Sequence, residues 1–228
     1  MTTAAASGVA ARAPDACPVC RAPAPKPFLS VDGRDYWRCA TCEASFLDPR
    51  QRPQPEAERA YYLNHENRAD DPAYRRFLSK AAVPLMERLE PGAKGLDYGC
   101  GPGPALAAML EEAGHPMALY DPFFHPDPAA LDQVYDFVTC TETAEHFHYP
   151  AEEFDRLSKL LRPGGWLAIM TCFQTEDARF AGWHYRRDPT HVVFYREATM
   201  GFIAGSRGWS CEVPAKDVAL MRKPGEAA

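Results

Sequence analysis

The chain contains 228 residues, of which 46% are hydrophobic, and it carries a formal net charge of −6. This length allows one sizeable core with a small appendage, and no stretch approaches the roughly 18 consecutive apolar residues of a membrane-spanning helix. Residues 91–228 hold 12 basic and 19 acidic side chains, which disfavours nucleic acid as a partner. Since residues 1–16 also lack the hydrophobic segment of a secretory signal, we expect a cytoplasmic protein with a small-molecule ligand and no membrane contact. The oligomeric state stays open.

The first predicted element is a small metal module over residues 15–50, after a disordered tail over residues 1–14. Two C-x-x-C pairs lie in it, with 18 residues between the pairs. Four thiolates at this spacing fit a tetrahedral zinc site with bonds of about 2.3 Å, and a closed Cys₄ shell predicts a structural metal. Disulfides or free thiols are the alternative. The predicted ligands are Cys17, Cys20, Cys39 and Cys42.

The module is expected to fold semi-independently, because residues 49–55 form a proline-rich linker. Its aromatic residues Tyr36, Trp37 and Phe46 allow two interpretations. They either face a substrate or pack against the main domain.

A helical linker or cap region is predicted over residues 51–90. Asp71 is a plausible N-cap with Pro72 at the first helical position, and apolar residues follow at spacings near 3.6. From position alone, Tyr61, His65 and Asn67 are candidates to reach over a site in the main domain.

Residues 91–228 alternate short apolar runs with helices, which predicts an α/β fold. We expect a Rossmann-like, doubly wound, mostly parallel sheet with helices on both faces. The predicted strands cover residues 95–98, 117–120, 135–140, 166–172, 210–213 and 217–221. The predicted helices cover residues 104–113, 151–161 and 197–205, with a turn at residues 162–165.

A glycine-rich loop at residues 99–103 joins the first predicted strand of this domain to the following helix. Glycines there let the backbone turn sharply and let a ligand approach, although a purely structural turn is the alternative. Pro104 stands where the dinucleotide fingerprint has its third glycine, which disfavours a nicotinamide cofactor. Asp121 follows the next strand, where a carboxylate either accepts hydrogen bonds from ribose hydroxyls or caps the turn that follows.

These motifs resemble those of the class I S-adenosylmethionine-dependent methyltransferases. The resemblance rests on D-x-G-x-G-x-G from Asp97 to Gly103, on E-x-x-E-H from Glu142 to His146, and on the Leu-Arg-Pro-Gly-Gly turn that ends at Gly165. It spans about residues 93–172 and implies S-adenosylmethionine as cofactor. Short zinc modules also precede such domains in some sugar C-methyltransferases and some RNA methyltransferases.

The resemblance implies roles for individual residues. Gly99, Gly101 and Gly103 make room for the cofactor, Asp97 orients its amino group, and Asp121 holds its ribose. The backbone at Thr141 and Glu142 lies beside the sulfonium. Only residues 122–134 separate the second strand from the next predicted one, so the usual third strand is short or absent. This leaves Phe123 and Phe124 as candidate stacking surfaces for adenine.

Catalytic candidates lie at the same edge of the predicted sheet. His146 is the first candidate for a base or substrate-orienting group, because histidine is the side chain that most often transfers protons in enzymes, and Glu145 lies beside it in the sequence. Bracing of the loop is the alternative role for His146. The stretch from Trp183 to His191 adds Tyr185 and His191 as candidates. Asp188 and Thr190 either join this pocket or cap turns while His191 packs beneath the sheet, and a second metal at His184, Asp188 and His191 is a remote alternative.

The sequence therefore predicts a methyltransferase for a small polar metabolite, such as a nucleotide-linked sugar. A non-catalytic cofactor-binding scaffold with a zinc docking module and an RNA-modifying methyltransferase remain alternatives. Neither the acceptor nor the atom that receives the methyl group follows from fold and cofactor site.

Overall fold

The computed structural model describes residues 13–63 and 68–225. Apart from residues 13 and 14, the predicted tail lies outside these ranges, as do His65 and Asn67. The strands are β1 (Lys26–Val31), β2 (Arg34–Arg38), β3 (Ser45–Leu47), β4 (Gly95–Tyr98), β5 (Met117–Tyr120), β6 (Tyr135–Thr141), β7 (Leu161–Met170), β8 (Val193–Phe194), β9 (Ser210–Ala215) and β10 (Val218–Arg222). The helices are α1 (Pro55–Tyr62), α2 (Pro72–Met86), α3 (Ala105–Glu112), α4 (Pro150–Leu160), α5 (His184–Arg187) and α6 (Glu197–Gly205).

The main sheet has six strands in the order β5-β4-β6-β7-β10-β9. The first four strands are parallel to one another, whereas β10 pairs antiparallel with β7 on one side and with β9 on the other. The expected α/β fold is confirmed as a mixed sheet of this kind. Strand β5 is an edge strand, and the segment from 121 to 134, described in full, forms a 3₁₀ turn at Pro128–Leu131 and no strand. The expected loss of the usual third strand is therefore confirmed.

Helices cover both faces of this sheet, because side chains alternate in direction along each strand. Phe137 and Ala168 point to one face, where they pack with Leu78 of α2 and Leu106 of α3. Their neighbours Val138, Leu167 and Ile169 point to the other face and pack with Phe154 and Leu157 of α4 and with Ile203 of α6.

Most elements lie where local signals predict them. Asp71 caps α2 by accepting a hydrogen bond from the backbone N–H of Ala73, and α6 has the predicted bounds. The predicted turn at residues 162–165 lies within β7, where the pairing with β6 jumps from Leu161 to Trp166 and leaves these residues bulged out of the ladder. Strand β7 also ends at Met170, two residues earlier than predicted.

The cysteine module does not form a separate core, in contrast to the expected semi-independent folding. Its strands β1, β2 and β3 form a second sheet whose fourth strand is β8, from far along the chain. Tyr36, Trp37 and Phe46 are at most 3% exposed and lie in the same hydrophobic cluster as the β6 and β7 side chains. These aromatics therefore pack against the main domain. The numbered domain boundaries stay a prediction.

The described residues include no helix that is both long and apolar enough to cross a bilayer.

The shared core predicts that the module and the main sheet unfold together. Replacing the fully buried Phe46 with alanine leaves a cavity between them and should lower the free energy of unfolding by about 3–5 kcal/mol. Urea unfolding followed by fluorescence and by far-ultraviolet circular dichroism should show one transition with both probes, shifted in Phe46→Ala. The control Val134→Ala changes a side chain that is 67% exposed and should move the midpoint little. Two separate transitions in the wild type would contradict a common core.

Candidate functional site

A cavity of about 740 Å³ lies at the carboxyl ends of the parallel strands β4, β5 and β6. Strand β4 lies between β5 and β6, so the loops that leave neighbouring strands separate here and open a crevice. Its volume is within the range of about 300–1,000 Å³ that is usual for small-molecule sites. The lining comes from the strand ends, from α1 and α2, and from the segment between β7 and β8.

The glycine loop forms part of the cavity wall. Gly99 and Gly101 line the cavity and have positive φ angles of 78° and 64°, whereas Gly103, just before α3, is not one of the lining residues. A Cβ at Gly99 would lie 2.2 Å from Cγ2 of Thr143, so only glycine fits there. A Cβ at Gly101 would meet no atom within 4 Å. The loop therefore borders space that a ligand can fill.

Asp121 ties the end of β5 to this loop. Its Oδ2 accepts a hydrogen bond from the backbone N–H of Gly101 at 3.0 Å. Its Oδ1 accepts from the N–H groups of Phe123 and Phe124 at 2.8 and 3.0 Å, so the turn-capping interpretation holds. Asp121 also lines the cavity, and Oδ2 keeps acceptor capacity for a ligand hydroxyl. Both aromatic rings belong to the same wall.

Asp97 lies beneath the glycine loop and is not one of the cavity-lining residues. It is 3% exposed, and its Oδ1 accepts a hydrogen bond of 2.7 Å from the hydroxyl of Thr139 on β6. Burial raises the pKa of Asp97 to about 6, against smaller opposing effects of Thr139 and the backbone of Ala107. The carboxyl group therefore joins β4 to β6 just before the glycine loop begins.

A cluster of polar side chains forms the other end of the cavity. The side chain of Glu145 is fully buried, and its Oε1 accepts a hydrogen bond of 2.5 Å from the hydroxyl of Tyr185. The rings of His146 and His191 lie with their centroids 4.7 Å apart, and Nε2 of His146 is 4.0 Å from Oε1 of Glu145. All four predicted catalytic candidates thus lie together.

Hydrogen bonds fix the two histidine rings of this cluster. Nδ1 of His146 lies 3.1 Å from the carbonyl oxygen of Thr190, and Nδ1 of His191 lies 2.7 Å from that of Tyr185. Asp188 accepts bonds from the N–H and hydroxyl of Thr190, so it caps this turn while it also lines the cavity. Asp188 therefore caps the turn, and both Asp188 and His191 line the cavity, whereas the role of this segment in binding a substrate stays a prediction.

Thr141 and Glu142 lie between the two ends of the cavity, where β6 stops. Glu142 has a positive φ of 49°, which turns the chain sharply after the strand. Burial, together with the neighbouring carboxylates Glu145 and Asp217, raises the pKa of Glu142 to about 9. Burial and the charge of Glu145 also hold the pKa of Tyr185 well above its usual range, so its hydroxyl stays a hydrogen-bond donor.

The sequence did not single out several residues of the cavity. The ring of Tyr62, at the end of α1, lies 5.6 Å from that of Phe123 and 5.2 Å from that of His146, and so connects the two ends. His148 pairs with Glu58 of α1 at 2.9 Å. Tyr61, which the sequence does name as a candidate, is not a lining residue, but it interacts with Asp188 of the cavity wall. The position of α1 is set by tertiary packing, and the local pattern carries no signal for it.

The four predicted metal ligands lie together outside the cavity. The four Sγ atoms all lie within 4.8 Å of one another. The distance is 3.6 Å between the Sγ atoms of Cys17 and Cys42 and 3.5 Å between those of Cys20 and Cys39. These distances exceed the roughly 2.05 Å of a disulfide and are close to the edge of about 3.8 Å of a tetrahedron with bonds of about 2.3 Å. The donor set and its spacing fit Zn²⁺.

The two C-x-x-C turns have the same conformation. Arg21 and Glu43, the residues after each second cysteine, have φ angles of 60° and 61°. In each turn a backbone N–H also points at the first cysteine sulfur, from Val19 to Cys17 and from Thr41 to Cys39, both at 3.4 Å. Such bonds stabilise thiolates, as a metal site requires.

Comparison with known proteins gives a family and a fold. The sequence model of a family described as a methyltransferase domain matches residues 65–212. Comparison with curated proteins gives no match.

Two solved structures illustrate the similarity of fold. One is a 1,6-didemethyltoxoflavin N1-methyltransferase from Burkholderia thailandensis, with 1,6-didemethyltoxoflavin and S-adenosylhomocysteine bound; it is 16% identical, with a TM-score of 0.50 over 87% of this chain and 99% of that one. The other is a magnesium protoporphyrin IX methyltransferase from Synechocystis with S-adenosylhomocysteine bound; it is 17% identical, with a TM-score of 0.45 over 74% of this chain and 94% of that one.

The buried carboxyl group of Asp97 predicts a pH dependence of stability. Its pKa is about 6 in the folded chain, against 3.8 for an ordinary aspartate, so between these values the folded state binds more protons than the unfolded state. Stability from this group is therefore present below about pH 4 and is lost as the pH rises through 6. The difference between the two pKa values amounts to on the order of 3 kcal/mol.

The substitution Asp97→Asn keeps an acceptor for Thr139 and cannot ionise. In urea unfolding from pH 4 to pH 7, we expect the free-energy difference between variant and wild type to move in favour of the variant by up to about 3 kcal/mol. Asp127→Asn, at an exposed turn cap, is the control and should show a small change. A pH-independent difference for Asp97→Asn would contradict the expected titration.

Proposed function

The chain belongs to the methyltransferase domain family, with the fold of the class I S-adenosylmethionine-dependent enzymes, and on this premise we propose that it transfers a methyl group to a small polar metabolite. S-adenosylmethionine, when bound, supplies an electrophilic methyl group on a sulfonium. The remaining tasks of the protein are to bind the cofactor, to align the acceptor and to take up a proton where the acceptor carries one.

One observation carries the proposal: the Asp121 carboxylate is held against the glycine loop, and both border the same cavity. A carboxylate at the end of the second strand of such a sheet is suited to accept hydrogen bonds from ribose hydroxyls. The open space at Gly101 admits a ligand to the loop backbone. We assign Gly99, Gly101, Asp121, Thr141 and Glu142 to the cofactor end, with Phe123 and Phe124 as the adenine walls.

Asp97 and Gly103 act indirectly in this proposal. Asp97 joins β4 to β6 through its hydrogen bond with Thr139, and Gly103 belongs to the turn into α3, where its carbonyl oxygen accepts from the N–H of Ala105. A direct contact of either residue with the cofactor stays a prediction from the family resemblance.

The acceptor end is formed by Glu145, His146, Tyr185 and His191. Six acidic side chains line the cavity, of which Glu142 is protonated at neutral pH because its pKa is raised to about 9, and Arg156 is the single lysine or arginine among the lining residues that the structure describes. Such a wall favours a neutral or cationic acceptor over a polyanion. We propose a nucleotide-linked sugar as one candidate acceptor, because its sugar part is uncharged, and the acidic wall argues against an RNA acceptor.

We further propose that the four cysteines hold a structural zinc ion. The four sulfur atoms lie close enough together to bind one ion, and three of the cysteines are buried. A metal bound by all four thiolates has no open coordination position for a substrate. Its role is to fix the two C-x-x-C turns and the sheet that follows them.

The cofactor proposal predicts binding that depends on Asp121. Calorimetry with S-adenosylhomocysteine should show micromolar affinity for the zinc-loaded wild type and at least tenfold weaker binding to Asp121→Ala, because a charge-assisted hydrogen bond is worth about 1.5–3 kcal/mol. Asp127→Ala is the matched control, since Asp127 also caps a turn through one backbone N–H, that of Ala129, but does not line the cavity. Absence of binding to the folded wild type would refute the proposed function.

The zinc proposal predicts one zinc ion per chain and a global effect of its removal. Metal analysis should give one equivalent for the wild type and for Cys211→Ser, and well below one for Cys39→Ser. Because the module shares its core with the main domain, chelation should lower the melting temperature of the whole protein. A metal-free wild type with an unchanged melting temperature after chelation would contradict the assignment.

A further inference from the structure

We propose that Glu145, His146 and His191 form a second metal site, which holds a divalent cation at the acceptor end of the cavity. Each of these residues offers one ligand atom, and the three atoms lie within 4.8 Å of one another. Ligands of a cation with bonds of about 2.1 Å are roughly 3–4 Å apart, so a contraction of about 1 Å brings them to coordinating distance. The set differs from the one at His184, Asp188 and His191 that the sequence suggests.

The hydrogen bonds of both histidines present the correct nitrogen to a cation. The partner of each Nδ1 is a backbone carbonyl oxygen, which only accepts, so Nδ1 must carry the proton. The neutral ring then has its lone pair on Nε2. Metal-bound histidines almost always donate their other ring N–H to such a partner, which fixes the ring and its tautomer. Both rings are therefore already oriented as ligands.

The carboxylate of Glu145 supplies an independent observation. Its Oε1 is held by the hydroxyl of Tyr185, whereas its buried Oε2 has no hydrogen-bond partner among the residues that the structure describes. An unpaired carboxylate oxygen in a buried position is costly, because the group has given up its hydration without a replacement. A cation bound by this carboxylate removes that cost, and Tyr185 orients the carboxylate through its hydrogen bond to Oε1.

The site leaves coordination positions open toward the cavity, since three protein ligands do not fill the shell of a divalent cation. Two adjacent oxygen atoms of a neutral acceptor, as in a vicinal diol, can occupy such positions together. We infer an acceptor of this class and methylation at oxygen. This inference rests on the proposed function, because it names the substrate class of that same site.

The chemical step balances with the cofactor as the only co-reactant. Coordination acidifies the acceptor hydroxyl, whose proton passes to solvent. The acceptor oxygen then forms a bond to the methyl carbon while the carbon–sulfur bond of the cofactor breaks. The electron pair of the broken bond stays on sulfur, which becomes a neutral thioether. His146 acts here as a ligand that positions the cation, and the base of a metal-free mechanism is not needed.

The test uses Mn²⁺ alone, added to zinc-loaded protein and followed by electron paramagnetic resonance. Mn²⁺ prefers nitrogen and oxygen ligands and does not displace zinc from four thiolates. We expect one bound Mn²⁺ per chain, and binding at least tenfold weaker in Glu145→Gln and in His191→Ala, since even the loss of an outer-shell partner costs about 10- to 100-fold. His184→Ala is the matched control, because it removes another histidine of the cavity wall and should leave the affinity unchanged.

A measurement on the wild type covers the case in which the variants do not fold. Spin-echo spectra of bound Mn²⁺ should show coupling to imidazole nitrogen. Absence of Mn²⁺ binding, binding without nitrogen coupling, or equal losses in His184→Ala and His191→Ala would overturn the site. Calorimetry with S-adenosylhomocysteine on the same samples separates the two proposals: intact cofactor binding with no Mn²⁺ site removes only this inference, whereas Mn²⁺ binding without cofactor binding removes the proposed function.

Discussion

The position of β4 in the sheet is the constraint on which the site depends. The chain passes from β4 to β5 on one side and returns to β6 on the other, so the loops at their carboxyl ends move apart. Gly99 and Gly101 of the glycine loop line this gap, and Asp121 closes one side of it by accepting a hydrogen bond from the backbone N–H of Gly101. The short strands β4 and β5 are enough to position the site, because the hydrogen bonds of the Asp121 carboxylate hold the glycine loop and the turn after β5 in place.

Buried acids distinguish the site from the rest of the core. Glu145 is fully buried, and one of its oxygens has no hydrogen-bond partner within the described part of the chain; burial and the charge of Glu145 raise the pKa of the nearby Glu142 to about 9. Isolated buried carboxylates oppose folding, and a protein retains them mostly where function needs them. Two acids and two histidines in one wall are compatible with proton transfer at this end of the cavity, and equally with a cation that compensates the negative charge.

The sequence predicts the parts of the fold that local signals encode. The runs 95–98 and 117–120 become β4 and β5 with the predicted bounds, and Asp71 caps α2 as expected. The sequence also predicts the cysteine pairs and the glycine loop, because the spacing of these residues indicates metal and ligand binding. It does not predict the roles of Tyr62 and strand β8, since a tyrosine at a helix end and a two-residue strand gain their roles only from distant partners. The pairing of His146 with His191 likewise depends on the turn at Thr190.

The cysteine module and the acceptor end are mechanically joined through one residue. Val192, directly after His191, donates its backbone N–H to the carbonyl of Glu145 at 2.9 Å, and its own carbonyl accepts from Leu47 of β3 at 2.9 Å. Strand β8 continues this pairing with β3, which begins soon after the second C-x-x-C turn. Because the C-x-x-C turns hold β3 and β3 holds Val192, a metal in the module stabilises the backbone that carries both Glu145 and His191. A structural metal in the module would therefore support the geometry of the acceptor end, although the four cysteines are not among the residues that line the cavity.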